Sequence, residues 1–236
     1  MKVELIDHMG SDLSVVNAAR VSFDKASEWE EIHNLTREKP LLVLSHKDTK
    51  LISYLAEHNH WSPFAHAFAS FRIKAPIFVA RQLVKHQVGL AWNEVSRRYV
   101  DSEPEFYTPD VWRKRADNVK QGSSDEAVER LNFIGRFDDS DRVSDHAKRV
   151  NDHALEVYNR MLDSGVCPEQ ARMVLPQSMM TEWIWSGSLY AFARVCHLRL
   201  DSHTQKETQV IAQGIAKELE QLFPVSWKAL LKNDHS

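Results

Sequence analysis

Residues 81–99, RQLVKHQVGLAWNEVSRRY, set Arg81, Lys85, Arg97 and Arg98 against one acid, Glu94, in a chain whose formal net charge is −3. Arginine forks match phosphate oxygens at two points, and a hydroxyl such as Ser96 with nearby backbone N–H groups completes an anion cradle. A solvated, salt-bridged loop has the same composition. His58, His60 and His66 lie close together in the chain. Histidine titrates near neutral pH, which makes His60 and His66 candidates for ligand contact or proton transfer. They do not read as zinc ligands, because no Cys or carboxylate is spaced to complete the set, so no metal is expected. Cys167 precedes Pro168 at an expected helix N-terminus, a position that favours a thiolate. No histidine stands near it as a base, and an inert thiol is the simpler reading. Arg199, Asp201 and His203 in LRLDSH form a polar junction between two helices. Neither GxGxxG nor GxxxxGK[ST] occurs, so a dinucleotide would not be held by a Rossmann turn.

These side chains need elements to hold them. KVELI reads as an opening strand, and SDLSVVNAARVSF as a helix capped by Ser11 or Asp12. Residues 24–45 read as a loop with at most a helical turn. A helix capped by Ser45 is expected to end near His58. SPFAHAFASFRIKAP (62–76) alternates, from Phe64 to Ile73, as a strand with both faces covered, and Pro76 opens a helix over 77–87 that places Gln82 and His86 on one side. Gly89 ends that helix and begins a loop. EFYTP is a short strand. Residues 112–146 are an exposed, charged, partly helical excursion, with clear helical periodicity returning over 147–161. CPEQARMVLP is a short helix, SMMTEWIWSG a buried strand, and SLYAFARVCHLR, KETQVIAQGIAKELEQLF and PVSWKALLK are helices. No repeat or linker interrupts the 236 residues, so a single α+β domain over 1–236 is expected.

Composition bounds the rest. Apolar residues make up 43%, enough for a sizeable core. The slight negative charge argues against a surface for long nucleic acid. The N-terminus lacks a secretory apolar region, no run is long enough to span a membrane, and two cysteines make no disulfide framework. A cytoplasmic protein with reduced thiols is the expectation.

Several blocks, in order, resemble the flavin-dependent thymidylate synthases. They are NAARVSF (17–23), HWSPFAHAFASFRIKAPIFVARQLVKHQ (60–87), NEVSRRY (93–99), ARMVLP (171–176) and LRLDSHTQ (198–205). The family triplet R-H-R is Lys85-His86-Gln87 here, and the stretch from it to Ser96 is one residue longer than the family pattern. Lys85 keeps a charge without the planar fork, and Gln87 is neutral.

The resemblance implies the thymidylate synthase-complementing protein fold, an antiparallel or mixed sheet surrounded by helices. It also implies a homotetramer with active sites shared between subunits. The implied reaction converts dUMP to dTMP, with carbon from 5,10-methylenetetrahydrofolate and reducing equivalents from NADPH through FAD. By match, Gln82, Lys85, Glu94, Ser96, Arg97, Arg98, Arg172 and Arg199 would hold dUMP. Ser22, Ser62, Lys85, His86, Gln87, Glu94, Ser188, Arg194 and His203 would contact FAD. Arg199, Ser96 and His60 would carry the chemistry, Arg199 against the pyrimidine.

The chemistry is coherent from the residues alone. A uracil ring can be made electron-rich by a thiolate adduct or by a fixed cation that stabilises its enolate-like form. Arg199 suits the second route. Two other readings stay open: a nucleotide- or RNA-binding relative without catalysis, and a thiol-dependent methyltransferase acting through Cys167.

Overall fold

The computed structural model describes residues 1–33, 40–100, 102–117, 122–131 and 142–232. In chain order, β1 (Lys2–Met9) and α1 (Asp12–Arg20) lead to a short ladder of β2 (Glu30–Ile32) and β3 (Leu41–Val43). That ladder lies where a loop is expected from the sequence. α2 (His46–Glu57) is capped by Ser45, whose Oγ accepts the Asp48 N–H at 3.0 Å. Then come β4 (Phe68–Pro76), α3 (Ile77–Leu83), β5 (Leu90–Glu94), β6 (Arg113–Arg115) and β7 (Ser123–Ala127). α4 (Val143–Asp163), α5 (Pro168–Ala171), β8 (Met180–Ser188), α6 (Leu189–Arg199), α7 (Lys206–Leu222) and α8 (Pro224–Lys232) complete the chain.

The main sheet runs β1-β4-β8-β5 and is antiparallel throughout. Its strands obey the period of two that their apolar residues set. Ala69, Phe71, Ile73 and Ala75 of β4, with Trp183 and Trp185 of β8, point into one core with Phe192 and Val195 of α6 and Ile211, Ile215 and Leu219 of α7. Phe71 and Trp185 both meet Phe192 edge-on, with centroids 5.2 and 5.4 Å apart. Such pairs stabilise by about 0.5–1.5 kcal/mol each beyond their buried area.

The other face of β4 is only partly covered. Phe68 is 39% and Ile184 46% exposed, and the same face carries the Arg72–Glu182 and Lys74–Glu105 ion pairs. The expectation of two covered faces is corrected: Ser70, Arg72 and Lys74 are the outward half of an ordinary alternating strand.

Three boundaries also differ. Residues 62–66 form a 3₁₀ turn rather than strand, because Pro63 fixes φ near the start of the turn. α3 ends at Leu83, not at 87, and the His86 N–H bonds the Leu83 carbonyl at 3.0 Å in a tighter turn. The polar loop expected after Gly89 contains β5. Leu90 and Trp92 face inward, Trp92 stacking on Trp183 at 4.4 Å; Glu94 follows on the same face at the exposed end of this edge strand, and Asn93 lies outward.

EFYTP contributes one isolated bridge, Phe106 to Met179. In the 112–146 excursion the described residues form the β6–β7 ladder and the start of α4, so helix begins only at Val143. Residues 118–121 and 132–141 lie outside the described residues. Among the described residues, no helix is long and apolar enough to cross a membrane.

Candidate functional site

The sheet brings the turn after α3 against α6. Gly89 takes φ +76°, a conformation that favours glycine, and reverses the chain into β5. Its carbonyl approaches Gly187 so closely that a Cβ there would lie 2.5 Å from it. This seats Lys85, His86 and Gln87 beside Ala191 and Arg194, around a small cavity of about 110 Å³.

Arg199, at the end of α6, reaches the same turn. Its Nε donates to His86 Nε2 at 3.0 Å, and its Nη2 to the Gln82 carbonyl at 3.3 Å. Burial pulls the Arg199 pKa below its ordinary value, which does not deprotonate a guanidinium near neutrality. Burial and then the charges of Arg199 and Arg194 pull His86 down to about 4. His86 is therefore a neutral acceptor.

Gln82 is fixed from α7: its Nε2 donates to Gln205 Oε1 at 2.5 Å, and its Oε1 accepts from Thr208 Oγ1 at 3.1 Å. Gln82, Arg199, Asp201, His203 and Gln205 line a cleft of about 650 Å³. Arg113 and Ser123 of the β6–β7 ladder form its outer wall, Arg113 donating to Ser123 at 2.7 Å and to both oxygens of buried Glu207 at 2.8 and 2.9 Å. His203 is exposed. Its backbone N–H and ring Nδ1 engage Asp201, and those hydrogen bonds hold the Asp201 carboxyl below its usual range.

A second cleft, of about 470 Å³, is lined by Glu94, Arg97, Arg172, Met173, Met180 and Thr181 among others. Glu94 accepts from Thr181 Oγ1 at 2.7 Å and from Trp92 Nε1 at 3.1 Å. Arg97 donates to the Ser102 carbonyl and Arg172 to the Glu169 carbonyl. Ser96 Oγ accepts from the backbone N–H and Nε of Arg98, both at 3.3 Å, and the Arg98 guanidinium lies 5.0 Å from the Tyr99 ring centre.

The remaining candidates sit apart. His60 lines a third cleft with Trp61, Tyr190, Arg194 and His197. Ser62 is exposed at the start of the adjacent 3₁₀ turn, and Ser22 is exposed in the turn after α1. Ser188 is buried and uses its hydroxyl to cap α6 at the Ala191 N–H.

The structure thus brings Gln82, His86, Arg199 and His203 together, and separately Glu94, Arg97 and Arg172. The two clefts share no lining residue. Sequence reasoning missed Thr181, Gln205, Thr208 and the Arg113–Glu207 pair. Only strand register and helix contacts reveal them, apart from Gln205, which closes a quoted block. Cys167 lines neither cleft, and Cys196 is buried with its thiol pKa pushed up. No cluster of three His, Cys, Asp or Glu among the described residues is placed to hold a metal ion.

The profile of the family described as "Thymidylate synthase complementing protein" matches residues 4–225. The flavin-dependent thymidylate synthase of Thermosipho africanus is 36% identical over 230 residues, covering 98% of this chain and 90% of that protein. That of Kosmotoga olearia is 37% identical over 232 residues, covering 97% and 89%. A UMP/dUMP methylase, PolB from Streptomyces cacaoi, solved with 5-Br dUMP, superposes with a TM-score of 0.77 at 32% identity, covering 98% of this chain and 94% of that one. The same methylase solved with 5-Br UMP gives a TM-score of 0.74 at 30% identity.

Proposed function

The chain belongs to the thymidylate synthase complementing protein family, the flavin-dependent thymidylate synthases, and from that premise we propose that it reductively methylates C5 of dUMP to give dTMP in the cytoplasm. The observation that carries the assignment of roles is a set of cations without carboxylate partners. Among the described residues, Lys85, Arg97, Arg98, Arg172, Arg194 and Arg199 are in no ion pair, whereas Arg20 and Arg72 of the scaffold, and Arg113 on the wall of the larger cleft, each are. Cations left unpaired around clefts suit anionic ligands.

In this reading the cleft of about 470 Å³, the outer half of the site, takes the nucleotide phosphate on Arg97 and Arg172, with Arg98, Ser96 and Glu94 bordering it. The cleft of about 650 Å³, the inner half, takes the pyrimidine on Gln82 and Arg199. Arg199 stabilises the negative charge that develops on the ring as C5 becomes nucleophilic. Neither cysteine is positioned to form a ring adduct there. The neutral His86 between Lys85 and Arg194 fits an anionic cofactor that also needs a hydrogen-bonding partner, which supports FAD at this turn, with Ser22, Ser62, Gln87, Ser188 and His203 as further contacts. A bound flavin supplies the hydride, which NADPH replenishes, and methylenetetrahydrofolate supplies the carbon. His60, exposed beside Trp61 and Tyr190, is placed to meet the planar ring of one of these reactants.

The separation of the two clefts supports a homotetramer in which one protomer's phosphate cleft completes another's pyrimidine cleft. The partly covered sheet face agrees with this. So does α4, a 21-residue helix with only Asn151 and Tyr158 buried.

The deciding experiment measures dTMP formed from dUMP, methylenetetrahydrofolate and NADPH by FAD-reconstituted protein, with UMP run beside dUMP. Turnover with a flavin absorption band supports the proposal. A colourless protein that takes up no FAD, or one that binds dUMP without product, overturns it and returns the non-catalytic nucleotide-binding reading.

A further inference from the structure

We propose that His86 is a positioning residue for Arg199: its Nε2 accepts the Arg199 Nε–H and, with the Gln82 carbonyl, sets the plane in which the guanidinium meets the pyrimidine. This rests on the proposed role of Arg199. A guanidinium on a long side chain turns freely unless two of its donors are held, and here the donors held are Nε at 3.0 Å and Nη2 at 3.3 Å. No acceptor among the described residues engages Nη1, which leaves an N–H edge for the cleft that Arg199 lines.

The acceptor is itself fixed. His86 is half-buried, its backbone N–H bonds the Leu83 carbonyl at 3.0 Å, and the contact of Gly89 with Gly187 pins the turn against α6. The Gln82 carbonyl belongs to α3, and the Gln82 side-chain amide is held separately by Gln205 and Thr208.

Charge then fixes the tautomer. Arg199 and Arg194 face the imidazole from α6, and Lys85 adjoins it on the turn. An imidazolium there would stand between cations and would have no lone pair to offer Arg199. The proton of the neutral ring therefore sits on Nδ1, and Nε2 keeps its lone pair. An ordinary histidine, half-protonated near pH 6.5, would release Arg199 over part of the physiological range. The departures from the family triplet fall at exposed Lys85 and Gln87; the matching residue is the one bonded to Arg199.

The test compares the FAD-loaded wild type with His86→Gln, whose side-chain oxygen can accept the same bond, and His86→Phe, which cannot. His86→Phe is expected to lower kcat about 10- to 100-fold, as loss of a hydrogen bond to a charged group does, with the dUMP KM within about 3-fold. His86→Gln restores kcat to within about 3-fold. Nitrogen-15 spectra of the wild type show an Nδ1–H, Nε2-unprotonated ring at pH 7 and still at pH 5.5, and the Arg199 Nε–H signal shifts in His86→Phe.

A ring protonated on Nε2, a glutamine variant as impaired as the phenylalanine one, or a loss that tracks flavin content alone overturns the proposal. If the wild type forms no dTMP, it is the functional reading that fails. The ring tautomer and the Arg199 signal still decide whether His86 holds the guanidinium.

Discussion

The two halves of the candidate site are built on opposite plans. In the inner half, Arg199 is half-buried and tied to His86 and Gln82, and Gln82 is tied to α7 through Gln205 and Thr208. In the outer half, Arg98 and Arg172 are exposed and Arg97 half-buried, and Arg97 and Arg172 lean on backbone carbonyls beside a turn. The difference matches the roles proposed for the two halves. A group that stabilises developing ring charge must already be in place, because reorganising it during reaction raises the barrier. A phosphate carries its charge before, during and after reaction, so the residues that hold it contribute uniform binding and tolerate adjustment.

The sharpest break in that contrast is Arg199→Ala. It removes the cation from the inner half and is expected to lower kcat by about 10²–10³-fold, while circular dichroism and flavin content stay near wild type. Arg199→Lys is expected to recover little, since an ammonium cannot bond His86 and Gln82 through a planar fork. Steady-state kinetics on both variants decides the point; near-normal turnover in either would mean the inner half is not where the ring is polarised.

Arg172→Ala should act differently, raising the dUMP KM about 10-fold with kcat nearly unchanged, the signature of lost uniform binding. The wild-type KM should also climb with ionic strength more steeply than that of the variant, because exposed charges are screened. A smaller effect is expected from Thr181→Val, which removes one of the two donors that orient Glu94 at the border of this cleft. A rise in KM of up to about 5-fold, equivalent to about 1 kcal/mol, is the expected outcome. A fall in kcat instead would place Glu94 with the chemistry.

The same contrast explains what could be read from sequence. Helices α1, α2 and α6–α8 and strands β4 and β8 follow from periodicity and caps, because each buries one regular face; α4 and β1 follow from periodicity alone, with little of either buried. β5 was hidden by composition: Asn93 and Glu94 belong to an edge strand whose only inward anchors are Leu90 and Trp92. The β2–β3 and β6–β7 ladders are too short to show a period. The outer half was legible as a local excess of cations. For the inner half, the residue types of Gln82, His86 and Arg199 were legible through the family resemblance, but their contact joins positions 113 residues apart in the chain. No local pattern encodes that pairing; the β4–β8 register and the Gly89–Gly187 approach create it.

The mildest way to sharpen the comparison is acid. His86 falls from an ordinary 6.5 to about 4, chiefly through burial and then through Arg199 and Arg194. The unfolded chain therefore takes up this proton first as pH drops. The neutral ring's contribution to stability is complete above about 6.5 and declines as pH falls from there towards 4. Urea midpoints measured against pH should drop more steeply in that window for wild type than for His86→Phe, and the two curves should run parallel above pH 7. The subtraction matters because Asp48, held below its usual carboxylate range against its own burial by hydrogen bonds from Arg20, Ser45 and Ser27, also loses stabilisation on acidification, and does so equally in both proteins. Parallel curves throughout would mean that His86 titrates in the folded chain as it does unfolded. The inner half would then be no more preorganised than the outer.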